Sequence, residues 1–178
     1  MKKILIFLGI FTFSILAFGV NDKDEKEVIV TAEFMAPISV NVIRHADFGT
    51  VIAQNYSSKN RPSTSSGHHG EIKISGDGDI KIQWADITQG EPQDVKNTRN
   101  LKVVLTNENN PAQQINSEFM LVENEGDFKN IENLKLTENS PATLFVTGTL
   151  TDISSNTPSG IYKGSIVFRV EYTDDASN

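Results

Sequence analysis

The sequence predicts an all-β protein folded as a two-sheet sandwich. Short runs with apolar residues at every second position recur between turn residues, and no segment of about twelve or more residues has a convincing helical period. The clearest run is the last, where Ile166, Phe168, Val170 and Tyr172 share one face. About nine or ten such strands, separated by turns rich in Gly, Asn, Pro and Ser, are typical of a sandwich.

The central strands are predicted from the same alternation. The stretch GEIKISGDGDIKIQW predicts a hairpin around a Gly/Asp turn, with Trp84 continuing the apolar face of the second strand. Further strands are predicted at residues 101–106, 115–122 and 143–151. The first half of the hairpin contributes Ile72 and Ile74 to the expected core, and the second half contributes Ile80 and Ile82.

Residues 55–69, NYSSKNRPSTSSGHH, are polar and Ser-rich and have no period. This composition predicts a long exposed loop and makes it a candidate binding loop. His68 and His69 lie at its end and His45 precedes it, but they lack the spaced ligands that zinc sites use. We therefore predict no metal site here.

The N-terminus has the three-part pattern of a secretory signal peptide. Lys2 and Lys3 precede an apolar run, and small residues flank a predicted cleavage point after Gly19. The apolar run is shorter than the roughly 20 residues that span a membrane, so no membrane span is expected after cleavage. The predicted organisation is a signal peptide at 1–19, an N-terminal extension at 20–34 and a sandwich domain at 35–178, exported to the cell surface or periplasm.

Composition excludes several classes of function. The chain has no cysteine, which excludes disulfides, thiolate metal sites and a thiol nucleophile. Its formal net charge is −7, and it is more negative by two once Lys2 and Lys3 are removed. Nucleic acid and anionic lipid are therefore not expected partners, because phosphate binding needs clustered basic residues.

No set of residues predicts catalysis, a cofactor or a metal. The pair Asp77 and Asp79 could suggest calcium, but the twelve-residue loop with its terminal Glu is missing, and a turn explains the pair. Trp84 and Tyr172 continue apolar faces and are expected in the core, which leaves Tyr56 as the aromatic residue in an evidently exposed loop. The sequence predicts a protein that is not an enzyme.

Several segments resemble a known family. The blocks ADFGTVIA, GEIKISGDGDI and VTGTLT, and above all SGIYKGSIVFRVEY with Gly160, Tyr162 and Gly164 ahead of the final strand, resemble a pilin-like family of exported bacterial domains related to spore coat protein U. The opening DEKEVIVTAEFMAPISV resembles pilins of alpha-class chaperone-usher fimbriae. The resemblance covers nearly the whole mature chain, and only general character matches between about residues 85 and 142.

This resemblance implies an immunoglobulin-like sandwich that is incomplete and is completed by an N-terminal donor strand from the next subunit. The expected function is a structural subunit of a fimbria, with adhesion as a further role. Its implied partners are copies of itself or related pilins, together with a periplasmic chaperone and an outer-membrane usher. The segment EVIVTAEF alternates as a donor strand requires. The expected subunit-interaction residues are Val28, Val30, Ala32 and Phe34.

Two interpretations of this N-terminal segment remain open on the sequence. In the first, it inserts into a neighbouring subunit and builds a fibre. In the second, it pairs within its own sandwich, and the protein is a self-complemented monomer that binds a glycan or a host protein.

Overall fold

The structure is a computed structural model that describes residues 36–57, 59–125, 131, 134–137 and 139–173. These residues lie in one compact unit, Met35–Asn178. The predicted signal peptide and N-terminal extension lie outside the described residues.

The regular secondary structure of the described residues is almost entirely strand, which confirms the predicted all-β two-sheet sandwich. Two single 3₁₀ turns, Ala53–Asn55 and Thr64–Ser66, interrupt the connections. Two short strands, β4 and β7, were not predicted, because two and three residues are too few for a periodic pattern to be recognised. The strands are β1 Ser39–Arg44, β2 Gly70–Ser75, β3 Gly78–Asp86, β4 Gln93–Asp94, β5 Leu101–Asn107, β6 Gln114–Val122, β7 Leu134–Leu136, β8 Ala142–Leu150, β9 Tyr162–Lys163 and β10 Ile166–Tyr172.

The strands form two antiparallel sheets. The larger sheet has the order β1-β2-β8-β6-β5-β9, and the smaller has the order β10-β3-β4, with β7 also paired to β3. Strand β3 is the centre of the smaller sheet, because β10 occupies one of its sides along seven residue pairs while β4 and β7 share the other. In the part of the chain that the structure describes, β1 and β10 each have a single partner strand.

The core lies between the two sheets and follows the predicted alternation. Ile72 and Ile74 of β2 face it from the larger sheet, and Ile80, Ile82 and Trp84 of β3 face it from the smaller. The Trp84 side chain is fully buried, and its Nε1 donates to the carbonyl oxygen of Thr98 at 3.1 Å. Each such large apolar side chain contributes about 1.5–3 kcal/mol by leaving water, so the alternating positions supply most of the stabilisation.

The predicted hairpin at residues 70–84 is wrong. Strands β2 and β3 do not pair with each other; β2 lies between β1 and β8, and β3 pairs with β10. The SGDGD turn instead carries the chain from one sheet to the other, with Gly78 at a φ of +126°. Both strands have isoleucine at alternating positions. Because the two strands lie on opposite sheets, these side chains are buried between the sheets.

The prediction of an exposed loop at residues 55–69 is wrong at residues 62–64, whereas Ser65, Ser66 and His68 are exposed as predicted. Pro62 and Thr64 are buried, and the chain here runs against the end of β8. The Leu150 amide donates to the Pro62 carbonyl oxygen at 2.9 Å, and the Gly148 amide donates to Thr64 Oγ1 at 3.0 Å. These contacts give hydrogen-bond partners to polar groups that, from composition alone, would be expected to bond to water.

A buried carboxylate connects the two sheets. Asp86, at the end of β3, is 2% exposed, and its Oδ2 accepts the Val104 amide of β5 at 2.8 Å. Its Oδ1 accepts both the amide and the hydroxyl of Thr88 at 2.8 Å. Three donors therefore compensate for the desolvation of the carboxylate, and the side chain ties the turn after β3 to the larger sheet.

Replacement of this carboxylate should destabilise the domain. We expect Asp86→Ala to lower the free energy of unfolding by about 2–3 kcal/mol, because it leaves the Val104 amide and the Thr88 groups without their acceptor. Denaturant unfolding followed by tryptophan fluorescence measures this change.

The matched control is Asp94→Ala, since Asp94 is not fully buried and its Oδ1 accepts the amide of Lys96, two residues away, at 2.8 Å. We expect that variant to lose about 0.5 kcal/mol. Equal losses in the two variants would contradict the role given to Asp86.

Candidate functional site: the open edge of the last strand

The core-facing side of β10 is incompletely covered. Ile166, Phe168, Val170 and Tyr172 pack against the core cluster, yet each is only half-buried. Their direct partners on β3 are buried, as the pairing of Phe168 with Trp84 illustrates. The difference between partner strands arises because β3 has neighbours on both sides, while β10 has one within the described residues.

The hydrogen-bonding pattern shows which backbone groups of β10 point away from β3. The Ser165 carbonyl accepts the Ile87 amide at 3.1 Å, and the Thr173 amide donates to the Asp79 carbonyl at 3.0 Å. Because antiparallel pairing alternates, odd-numbered residues direct their amide and carbonyl groups to β3. The even-numbered residues direct theirs away from β3. The four residues with incompletely covered apolar side chains therefore also carry the backbone donors and acceptors of this edge, which have no partner strand among the described residues.

An uncovered face occurs on β1 of the larger sheet as well. Val40 and Val42 pair directly with Ile74 and Ile72, so all four side chains point to the core side of the sheet. The two isoleucines are 0% and 2% exposed, whereas Val40 and Val42 are 39% and 58% exposed. The opposite sheet therefore covers the isoleucines of β2 but not the valines of β1.

A tyrosine joins the ends of these two edges. The Tyr172 hydroxyl, at the end of β10, donates to the Ala36 carbonyl oxygen just ahead of β1. The same hydroxyl accepts the Asp77 amide at 2.9 Å, in the turn between β2 and β3. A Cβ atom at Gly76 would lie 2.6 Å from this hydroxyl, so the close approach requires glycine there. We call this three-way contact of Tyr172, Asp77 and Ala36 the clamp.

The predicted subunit-interaction residues Val28, Val30, Ala32 and Phe34 lie outside the described residues. The structure therefore tests neither of the two interpretations of that segment. The described chain begins at Ala36, whose carbonyl oxygen is held in the clamp, and Met35 alone separates Ala36 from Phe34 in the sequence.

The outward face of β10 is polar and carries surface ion pairs. Glu171 lies 3.4 Å from the Lys81 ammonium, and Arg169 lies 3.9 Å from the Glu91 carboxylate. Exposed pairs of this kind contribute at most about 1 kcal/mol each. Val167 is the apolar exception on this face. The edge is therefore amphipathic, with an apolar side toward the core and a charged side toward water.

The histidines and the acidic turn have structural contacts. His69 Nδ1 lies 2.7 Å from Thr64 Oγ1, and the His69 carbonyl oxygen accepts Arg44 Nε at 3.0 Å. The backbone of His68 pairs with that of Asp47.

Among the described residues, no group of three or more His, Cys, Asp or Glu side chains is placed to hold a metal ion. No helix in the same ranges is long and apolar enough to cross a membrane.

No protein-family model matches this chain, and no curated protein matches it.

Loss of the clamp hydroxyl should loosen the turn between β2 and β3. We expect Tyr172→Phe to keep the ring packed but to lower the free energy of unfolding by about 1–2 kcal/mol, because two hydrogen bonds are lost. Amide hydrogen exchange at Asp77 should speed up, since its amide loses its acceptor.

The control for this prediction is Tyr162→Phe, whose hydroxyl donates to the Pro158 carbonyl at 2.9 Å in a separate loop. That variant should leave exchange at Asp77 unchanged. Unchanged exchange at Asp77 in Tyr172→Phe would rule out the clamp.

Proposed function

We propose that this protein is an exported structural subunit that assembles by strand exchange, with residues 28–34 of one copy pairing with the open edge of β10 of the next. The observation that carries the proposal is this edge. Over seven residues it combines half-covered apolar side chains with outward-directed backbone donors and acceptors. An added strand with alternating apolar residues satisfies both requirements at once.

The N-terminal segment has the matching pattern. Val28, Val30, Ala32 and Phe34 recur at every second position, as do the core-facing residues of β10. The segment also has the length of the edge, since residues 28–34 and Ile166–Tyr172 are both seven residues long. The exposed Val40 and Val42 of β1 offer further apolar surface for such a strand to cover.

The clamp restricts how a chain can pair with itself. From Tyr172 to Ile166 the edge is about 20 Å long, at roughly 3.4 Å per residue. Met35 alone links Phe34 to Ala36, and that link spans about 7 Å. Pairing within one chain therefore has to place Phe34 beside Tyr172, with the segment parallel to β10. An antiparallel arrangement, which is slightly more stable per residue, requires the segment of another chain.

Exchange between copies leads to a fibre. The donor segment and the acceptor edge are different surfaces, so the contact is head-to-tail and does not close on a dimer. The signal-peptide pattern at residues 1–19 and the resemblance of the sequence to pilin-like domains support an exported fibre, such as a fimbria. A chaperone that covers the open edge before assembly, together with an usher, fits the same scheme. No described feature favours a catalytic role.

A second candidate is a self-complemented monomer that acts as a surface or periplasmic binding domain. The observation that favours it is the proximity of Ala36 to Tyr172, which brings the segment of the same chain to the edge without a long linker. This candidate predicts the parallel arrangement, whereas strand exchange predicts the antiparallel one.

Disulfide trapping distinguishes the two arrangements, and the absence of native cysteine makes the experiment clean. Glu33 lies on the face of the segment opposite to the predicted donor residues, and Val167 and Glu171 lie on the outward face of β10. We expect the double variant Glu33→Cys with Val167→Cys to form a ladder of disulfide-linked chains on a non-reducing gel, because antiparallel exchange brings these positions together.

The matched variant is Glu33→Cys with Glu171→Cys, which parallel pairing within a chain brings together. Strand exchange predicts little crosslinking in this variant. Efficient formation of an intrachain disulfide here, with no ladder from the first variant, would overturn the proposed fibre and favour the monomer.

A further inference from the structure

The open edge of β10 ends at a closely packed group of residues. The Tyr172 hydroxyl contacts the Ala36 carbonyl oxygen, and Ile38, two residues further along the chain, packs against the core just ahead of β1. Residues 36–38 therefore cross from the end of β10 in the smaller sheet to the start of β1 in the larger one. We call residues 36–38 the end wall.

The end wall is tightly packed where it meets Tyr172. A Cβ atom at Gly76 would lie 2.6 Å from the Tyr172 hydroxyl, 3.2 Å from Leu136 Cδ1 and 3.5 Å from Ile38 Cγ1. Leu136 is fully buried. Close packing of this kind resists an added side chain, because the neighbouring groups would have to move. A strand that continued past Tyr172 on its core-facing side would therefore have to displace the end wall.

Alternation alone does not fix the register of a strand added to β10. A shift of one residue turns the apolar side chains of the added strand to water, so it is disfavoured. A shift of two residues keeps every side chain on its face. Strand exchange therefore needs a second feature that selects one register.

We propose that the end wall and Lys26 together fix the register of the exchanged strand. This inference rests on the proposed function. In the selected register, Phe34 of the donor lies beside Ile166 of the acceptor, and Val28 lies beside Tyr172. The four alternating residues of the donor then cover the four incompletely covered residues of β10.

The end wall opposes a shift of two residues in one direction. Such a shift moves Val28 beyond Tyr172, to the place where residues 36–38 of the acceptor lie. It also leaves Ile166 without a side chain of the donor segment beside it, so that apolar surface stays exposed. Both effects act against this register.

Lys26 opposes a shift of two residues in the other direction. The positions that continue the donor face ahead of Val28 are Lys26, Asp24 and Asp22. The shift would place Lys26 against the core-facing side of Tyr172, and burial of a charge without a partner is strongly unfavourable. The apolar run of the donor therefore has the length that the end wall allows.

Disulfide trapping in the mature chain measures the register directly. The pair Glu33→Cys with Val167→Cys reports the selected register. Arg169→Cys in place of Val167→Cys reports the shift toward the end wall, and Ser165→Cys reports the opposite shift. Positions two residues apart lie about 7 Å apart along a strand, and a disulfide needs closely opposed Cα atoms. We expect the Val167 pair to give a ladder of linked chains about tenfold stronger than either other pair, because the other registers require displaced packing or a buried charge.

Variants of the two proposed stops should change this pattern in a specific way. Ile38→Ala opens the end wall and should strengthen the ladder from the Arg169 pair. Tyr172→Phe releases the clamp and should have the same effect. Lys26→Val extends the apolar run of the donor and should strengthen the ladder from the Ser165 pair.

The matched controls are Ile43→Ala and Lys23→Val. Ile43 is an exposed isoleucine of β1, and Lys23 lies at an odd-numbered position, on the face of the segment opposite to the donor residues. Neither substitution should change the ratio of the three ladders.

The ratio of the ladders also separates this inference from strand exchange itself. Equal ladders from the three pairs in the otherwise native chain, or ratios that Ile38→Ala and Lys26→Val leave unchanged, would overturn the proposed register. A uniform weakening of all three ladders in Ile38→Ala would also overturn it, because the end wall would then only stabilise the fold. Absence of a ladder from every pair would overturn strand exchange, and this inference with it.

Discussion

The structure depends on one constraint: the last strand of the smaller sheet has a partner on one side only within the described chain. A sandwich core needs every core-facing side chain covered from two directions, and β10 supplies part of that cover while being incompletely covered itself. The same residues carry the unpaired amides and carbonyls. An edge of this kind costs free energy in two ways, through exposed apolar surface and through an open hydrogen-bonding ladder, and an added strand relieves both.

Two sets of contacts fix the ends of the smaller sheet. Asp86 ties the far end of β3 to β5, which holds the smaller sheet against the larger one. At the other end, Tyr172 joins β10 to the start of β1 and to the turn that crosses between the sheets. The clamp fixes Ala36, which follows Phe34 by two residues in the sequence. In the proposed strand pairing, this short link requires a parallel arrangement within one chain and allows an antiparallel arrangement only between chains.

The sequence predicts the parts of the fold that depend on local alternation. The faces of β3 and β10 were predicted correctly, because a period of two places Ile82, Trp84 and their neighbours on one side whatever the sheet partners are. Partner choice is a different matter. Alternation in β2 and β3 is equally compatible with a hairpin and with a crossing between sheets, so the local pattern could not distinguish them. The docking of residues 62–64 was missed for a similar reason, since one buried threonine hydroxyl and one carbonyl hold a segment whose composition is that of a loop.

Of the proposed strand pairing, the sequence shows only one partner, the alternating pattern of residues 28–34. The other partner, the edge of β10, is recognised by its incompletely covered side chains, and this cover is known only when the neighbours of β10 and β1 are known. Val40 and Val42 alternate like any buried pair, and only their exposure beside two buried isoleucines identifies them as uncovered.

Hydrogen exchange along β10 tests the central claim most directly. In a chain of residues 35–178, the account predicts fast exchange at the even-numbered amides of Phe168, Val170 and Tyr172 and slow exchange at their odd-numbered neighbours, which bond to β3. Addition of a peptide of residues 20–34 should slow the even-numbered amides selectively. If the even-numbered amides are already protected without the peptide, or stay fast when it is present in excess, β10 is not an open acceptor edge and the account is wrong.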